Sequence, residues 1–206
     1  MLEHVPAWLG HALIGLRAGA EKLAIARPEL GGSYPALELM SPAFANGGRL
    51  PDRFTADGPG VSPPLVWGVV PPATHSLALL VEDADAPMPN PMVHAVIWGL
   101  PADSGRIGEG WIVADGAGDG LRDVGRGSFL REGWLPPDPP TGHGEHRYAF
   151  QLFALDAAVG DPGESPGRGA IVRAMAGHVI AAGLLVGTYD RGGPAAIGPI
   201  GSVATA

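Results

Sequence analysis

From Leu37 onward, glycine and proline cut the chain into short apolar runs, and this spacing limits the fold more than any other feature. The runs are 65–70 (LVWGVV), 76–82 (SLALLVE), 93–98 (VHAVIW), 147–155 (RYAFQLFAL) and 183–189 (GLLVGTY). They are rich in β-branched and aromatic residues and too short for ordinary buried helices, so they read as strands. The chain holds 33 glycines and 22 prolines in 206 residues. In a polar chain that share would signal disorder. Here 46% of the residues are hydrophobic, so it signals tight turns and long irregular connections around a real core. A chain of this length is one domain by default and buries roughly 70% of its unfolded surface. The expected class is mainly β with few short helices.

Two helices are expected. Residues 2–25 carry Val5, Trp8, Leu9, Ala12, Leu13, Leu16, Ala20 and Leu23 at helical spacing, with Glu3, His11, Arg17, Glu21 and Lys22 mostly off that stripe. Gly10 and Gly15 weaken the pattern. Such a stripe packs on its own domain or on a partner subunit, so a homodimer through this helix is one expectation. Its polar face is not basic, which argues against a membrane surface. Arg27–Pro28 and Gly31–Gly32 then read as a linker. The expected organisation is a helix and linker over 1–32 and a β domain over 33–206. The second helix is expected over 169–182. The segment 102–145 reads as a long, functional or mobile loop with glycines at 116, 118 and 120.

The formal charge is −8, which repels nucleic acid at long range but leaves room for a small anion pocket built from local donors. There is no cysteine, which removes disulfides and thiolate chemistry. No run of 18 apolar residues suggests a transmembrane helix. The N-terminus lacks the basic region of a secretory signal, so a cytoplasmic location is expected.

Candidate chemistry concentrates in two segments. Glu82-Asp83-Ala84-Asp85-Ala86-Pro87 is followed by His94, and Pro139-Pro140-Thr141-Gly142-His143-Gly144-Glu145-His146-Arg147-Tyr148 closes the long loop. Side chains alternate faces along a strand. His146 and Tyr148 therefore share a face with Phe150 and Leu152, about 7 Å apart along the strand. That spacing suits two donors converging on one oxyanion. The same parity puts His94 with Val96 and Trp98. Asp83 and Asp85 would point the same way from an extended segment, so one carboxyl is expected to hold a proton. The bond before Pro87 is a candidate cis peptide. His4, His11, His75, His143 and His178 read as surface, helix or loop residues. The Asp and His residues lack metalloprotease or EF-hand spacing, and no metal or other cofactor is expected. No nucleophile elbow, Walker loop or dinucleotide fingerprint occurs.

Taken in order, these segments resemble the phosphatidylethanolamine-binding protein family, in its bacterial Raf-kinase-inhibitor-like branch. The stretch 54–67 (FTADGPGVSPPLVW) resembles its opening motif. SLALLVEDADAP with His94 ahead of VIWGLP resembles its first signature, and PPDPPTGHGEHRYAFQLFALD at 136–156 its second. Three positions depart from the pattern: Ala84, Gly99 and Pro136. The resemblance spans roughly 37–191. It implies a β-sandwich-like domain with a larger antiparallel sheet and a small pocket for phosphate, acetate or a phosphorylated head group. By motif the pocket wall would be Asp83, Pro87, His94, His146 and Tyr148, with Asp85 as a supporting carboxylate and Arg147 beside it.

The expected function is therefore a binding or regulatory module for a phosphate-like small molecule, with a protein partner as a further expectation. No catalytic residue is assigned. The alternative is a hydrolase that uses the Asp/His cluster as general base.

Overall fold

The computed structural model describes residues 6–114, 123–159, 162–163 and 166–191. Glycines 116, 118 and 120 lie outside these residues. The fold is built on two antiparallel sheets. A small sheet joins β1 (Leu39–Met40), β2 (Leu65–Trp67) and β5 (Gly105–Ile107) in that order. A large sheet has the order β6 (Asp123–Val124), β4 (Met92–Pro101), β3 (Ser76–Asp83), β7 (His146–Leu155) and β8 (Val179–Tyr189).

The large sheet is buried on both faces, so its central strands read as unbroken apolar runs. Leu77, Leu79 and Val81 of β3, with Tyr148, Phe150 and Leu152 of β7, face the small sheet and pack with Leu39, Leu65, Trp67 and Ile107. The alternate residues Ala78, Leu80, Phe153 and Leu155 face the other way. They pack on Ile171, Val172 and Met175 of α2 (Arg168–Met175) and on Ala24 and Leu30. This is the period-2 alternation of a strand, resolved into two cores rather than core and solvent. At the far edge Gly187 of β8 lets Leu50 approach so closely that a Cβ would lie 2.5 Å from its Cδ2.

The expected helix over 169–182 stops at Met175. Gly177 takes φ +79°, a left-handed turn that ends the helix, and the β-branched pair Val179–Ile180 starts β8. The amphipathic stretch expected over 2–25 is helical only over α1 (Ala7–Leu13). Gly19 takes φ +102°, and short 3-10 turns follow over 20–22, 24–26 and 28–30. The expected stripe is not its buried face. Trp8 and Leu16 remain 69% and 56% exposed, whereas Gly10 is buried against the 140–143 turn. No described helix is long and apolar enough to cross a membrane.

Antiparallel pairing brings three strand ends together. Asp83 at the end of β3 pairs with Met92 of β4 and with Tyr148 of β7. The loop chain 125–140 then runs over this end of the sheet.

Candidate functional site

A cleft of about 270 Å³ lies at these strand ends. Asp83, Pro87, His94 and His146 line it, together with Leu9 and Leu13 of α1, Ala86, Met88, Met92, Phe129 and the 138–140 turn. Four of the five wall residues implied by the family resemblance thus meet in one place. The fifth, Tyr148, packs directly against two of them. Its ring centroid lies 5.1 Å from His94 and 6.4 Å from His146.

His94 arrives by a route that parity does not give. In the β3–β4 ladder Val81 pairs with Ala95 and Glu82 with Val93, so His94 is the extra residue of a β-bulge. Val93 and Val96 face α2, while His94 turns to the opposite side and meets Tyr148 and Trp134. The expected sharing of a face by His94, Val96 and Trp98 is corrected by this bulge. Two bonds with one residue then fix the ring. His94 Nδ1–H donates to the Leu135 carbonyl at 2.6 Å, and the Leu135 N–H donates to the His94 carbonyl at 2.8 Å. His94 Nε2 therefore carries a lone pair. Burial holds this imidazole below its ordinary value, although the Asp83 charge and the Leu135 carbonyl act the other way.

The Asp83–Asp85 pair is also corrected. The strand ends at Asp83, and the chain turns over Ala84–Asp85 as the Asp85 N–H donates to Asp83 Oδ1 at 2.8 Å. The two carboxyls then face different partners. Asp85 is fully buried and receives Arg147 Nε and Nη2, both at 2.7 Å, with Arg17 Nη1 at 3.0 Å. Burial works to raise its pKa. The hydrogen bonds and charges of Arg147 and Arg17 outweigh burial and leave it below the usual value. Asp85 is thus an ionised anchor for both arginines, not half of a proton-sharing pair. Arg147 points away from the cleft, as strand parity requires. The bond before Pro87 is trans, since no described peptide bond is cis.

His143, expected as a loop residue, is fully buried beside the cleft. Its Nε2 lies 2.9 and 3.2 Å from the carbonyls of Leu13 and Leu16, so that nitrogen bears a proton and donates. Its Nδ1 then accepts from His146 Nε2–H at 2.6 Å. One further proton lies in the 2.7 Å bond between His146 Nδ1 and Asp83 Oδ2. Burial, helped by His146, keeps the His143 pKa low, in keeping with an accepting Nδ1. The sequence signal was the H-G-E-H spacing. Gly142 and Gly144, at φ +82° and +93°, fold this stretch back so that the two rings meet.

Two buried polar atoms have no hydrogen-bond partner among the described residues: Nε2 of His94, which lines the cleft, and the hydroxyl of Tyr148, which packs on it. Burial, reinforced by the Asp83 charge, pushes the phenol pKa well above its ordinary value, so the hydroxyl keeps its proton. The rim is held by Arg191, whose Nη1 reaches Asp138 Oδ1 at 2.5 Å and the Pro139 carbonyl at 2.9 Å. Among the described residues no three His, Asp or Glu side chains are grouped to hold a metal ion.

Two antiparallel sheets with these side chains gathered at one sheet end are not the parallel, doubly wound architecture of a dinucleotide fold. The family model of the phosphatidylethanolamine-binding proteins matches residues 40–190, and the chain belongs to that family. It is 40% identical over 161 residues to an UPF0098 protein of Methanothermobacter thermautotrophicus, covering 76% of this chain and all of that one. It is 37% identical over 159 residues to an UPF0098 protein of Chlamydia pneumoniae, covering 75% and 99%. Among solved structures it is similar to a phosphatidylethanolamine-binding protein homologue of Chlamydia trachomatis, at 32% identity and a TM-score of 0.68 over 76% of this chain and 99% of that one. The fold is shared with YbcL of Escherichia coli, with a TM-score of 0.70 at 24% identity over 76% and 99%. The α1 segment lies outside the span that the family model matches.

Proposed function

We propose that this chain binds a small phosphate-like oxyanion in the cleft of Asp83, Pro87, His94, His146 and Tyr148. The observation that carries the reading is the pair of buried, unpartnered polar atoms. Leaving such groups unpaired costs about 1–3 kcal/mol each, so a fold that keeps two together has a use for them. Tyr148 O–H is a donor. His94 Nε2 accepts from a ligand hydroxyl, or donates once protonated. A hydrogen-bearing phosphate, or a phosphate monoester that brings one proton, satisfies both. The cleft is large enough for such a group and a short substituent, and Asp83 keeps the neighbouring imidazole of His146 oriented.

The test is an amide NMR titration with inorganic phosphate and with O-phosphorylethanolamine. Saturable shifts centred on 83–88, 92–95 and 146–148 are expected, and they should vanish in His94→Ala. An absence of shifts at millimolar ligand would sink the reading.

A further inference from the structure

The cleft has one wall that the rest of the family domain does not supply. Leu9 and Leu13 of α1 line it, and several contacts pin the segment there. Gly10 lies so close to the 140–143 turn that a Cβ would sit 2.0 Å from the Thr141 carbonyl oxygen. Arg17 donates to the Glu145 carbonyl at 2.9 Å and the His143 carbonyl at 3.3 Å, and it pairs with Asp85. The N–H groups of Ala18 and Gly19 donate to the carbonyls of Ala86 and Ala84, both at 2.9 Å. These bonds tie the segment to the two loops that frame the cleft.

The segment also reaches the cleft through a proton chain. The Leu13 and Leu16 carbonyls accept the Nε2–H of His143, which obliges His143 Nδ1 to accept from His146. His146 lines the cleft, yet its Nε2–H is committed to another ring. An oxyanion can use that N–H only by breaking the bond between the histidines.

We propose that residues 7–19 are an autoinhibitory latch on the cleft, which narrows it with Leu9 and Leu13 and, through His143, withholds the Nε2–H of His146 from an entering oxyanion. The inference rests on the cleft being an anion site. Docking of the segment fixes the His143 tautomer whose Nδ1 takes the His146 Nε2–H, and that N–H is the one an entering anion would need. Docking and binding therefore weaken each other by the same factor, as linkage requires.

Full-length wild type, Gly10→Val and Arg17→Ala are titrated with inorganic phosphate by NMR, and amide exchange is followed across 9–19. Gly10→Val wedges the segment off the 140–143 turn without touching a cleft side chain. Arg17→Ala removes the clamp should the valine prevent folding. Both variants are expected to exchange faster over 9–19 and to bind phosphate at least about fivefold tighter, the lower end of ordinary allosteric coupling. Saturating phosphate should likewise speed exchange over 9–19 in the wild type. Equal or weaker binding by the variants, or unchanged exchange in phosphate-saturated wild type, overturns the latch and leaves the anion site standing. No binding by any of the three proteins removes the anion site and the latch with it.

Discussion

The Tyr148 hydroxyl is a buried donor with no partner among the described residues. A structural tyrosine would show the opposite, since a phenol wholly inside a core is normally tied to a carbonyl or carboxylate. Tyr148→Phe therefore separates stability from binding. Removing an unpaired hydroxyl leaves stability unchanged or raises it by up to about 3 kcal/mol, because a desolvated polar group disappears. Phosphate affinity should fall about tenfold, since a hydrogen bond to a charged ligand contributes about 1.5–3 kcal/mol. Urea unfolding and the phosphate titration read the two quantities on one sample. A less stable variant with unaltered phosphate binding would mean that the hydroxyl serves the fold. His94 shows the same logic at a neighbouring position. Its backbone is bulged and its Nδ1 is spent on Leu135, so Nε2 is left without a partner among the described residues.

At the scale of elements, β3 is held from both sides, and its least apolar member shows how. Glu82 is completely buried on the α2 face. It accepts from Arg168 Nε at 2.5 Å, Gln151 Nε2 at 2.8 Å and the Ala24 N–H at 2.7 Å. One carboxylate thus joins β3, β7, α2 and the turn chain over 20–26. Arg168→Ala would strand a buried charge. The expected loss is about 3 kcal/mol, the lower end for breaking such a pair because two other donors remain and Arg168 is partly solvated. The double variant Glu82→Gln, Arg168→Met should recover part of it, and a chemical-denaturation midpoint for each protein checks both statements. This clamp was not legible in the sequence, where Glu82 only ends the 76–82 strand run beside Asp83. Strand parity was legible on β7, because its ladder runs regularly from His146 to Ala154. Parity failed on β4, because a bulge depends on the partner strand and leaves no mark in local composition. The helix expected over 169–182 failed because Gly177, in a left-handed conformation, stops propagation whatever the apolar period beyond it. His143 was missed because its burial comes from a segment more than a hundred residues away.

For the whole molecule, surface charge and buried groups respond to pH in opposite directions. The chain carries a formal charge of −8, and its sequence pI is about 5.2. Self-repulsion alone would make the fold more stable as pH falls from 7 toward that value. The site predicts the reverse. Burial depresses both His94 and His143 below their ordinary 6.5. In the pH range just under 6.5 the unfolded chain then binds more protons than the folded one, so stability falls as pH falls. Asp85 and Asp57, depressed below 3.8 by their arginines, extend the loss at lower pH with the same sign. On the alkaline side Tyr148 and Tyr189 are raised above 10, Tyr189 to about 12, chiefly by burial. Above pH 10 the unfolded chain gives up protons that the fold retains, and stability falls again. The expected profile is a plateau between about pH 6.5 and 10 with losses on either side. The buried histidines outweigh the surface charge because repulsion among exposed groups is screened beyond roughly 8–10 Å at ordinary ionic strength, whereas a desolvated imidazole is not. Urea midpoints from pH 4.5 to 11, at low and at high salt, decide between the two. A midpoint that drops from pH 7 to 5.5 at both salt concentrations assigns control to the interior. A midpoint that climbs over that interval, and climbs less in high salt, would show that net charge governs stability and that the two histidines are not held neutral by the fold.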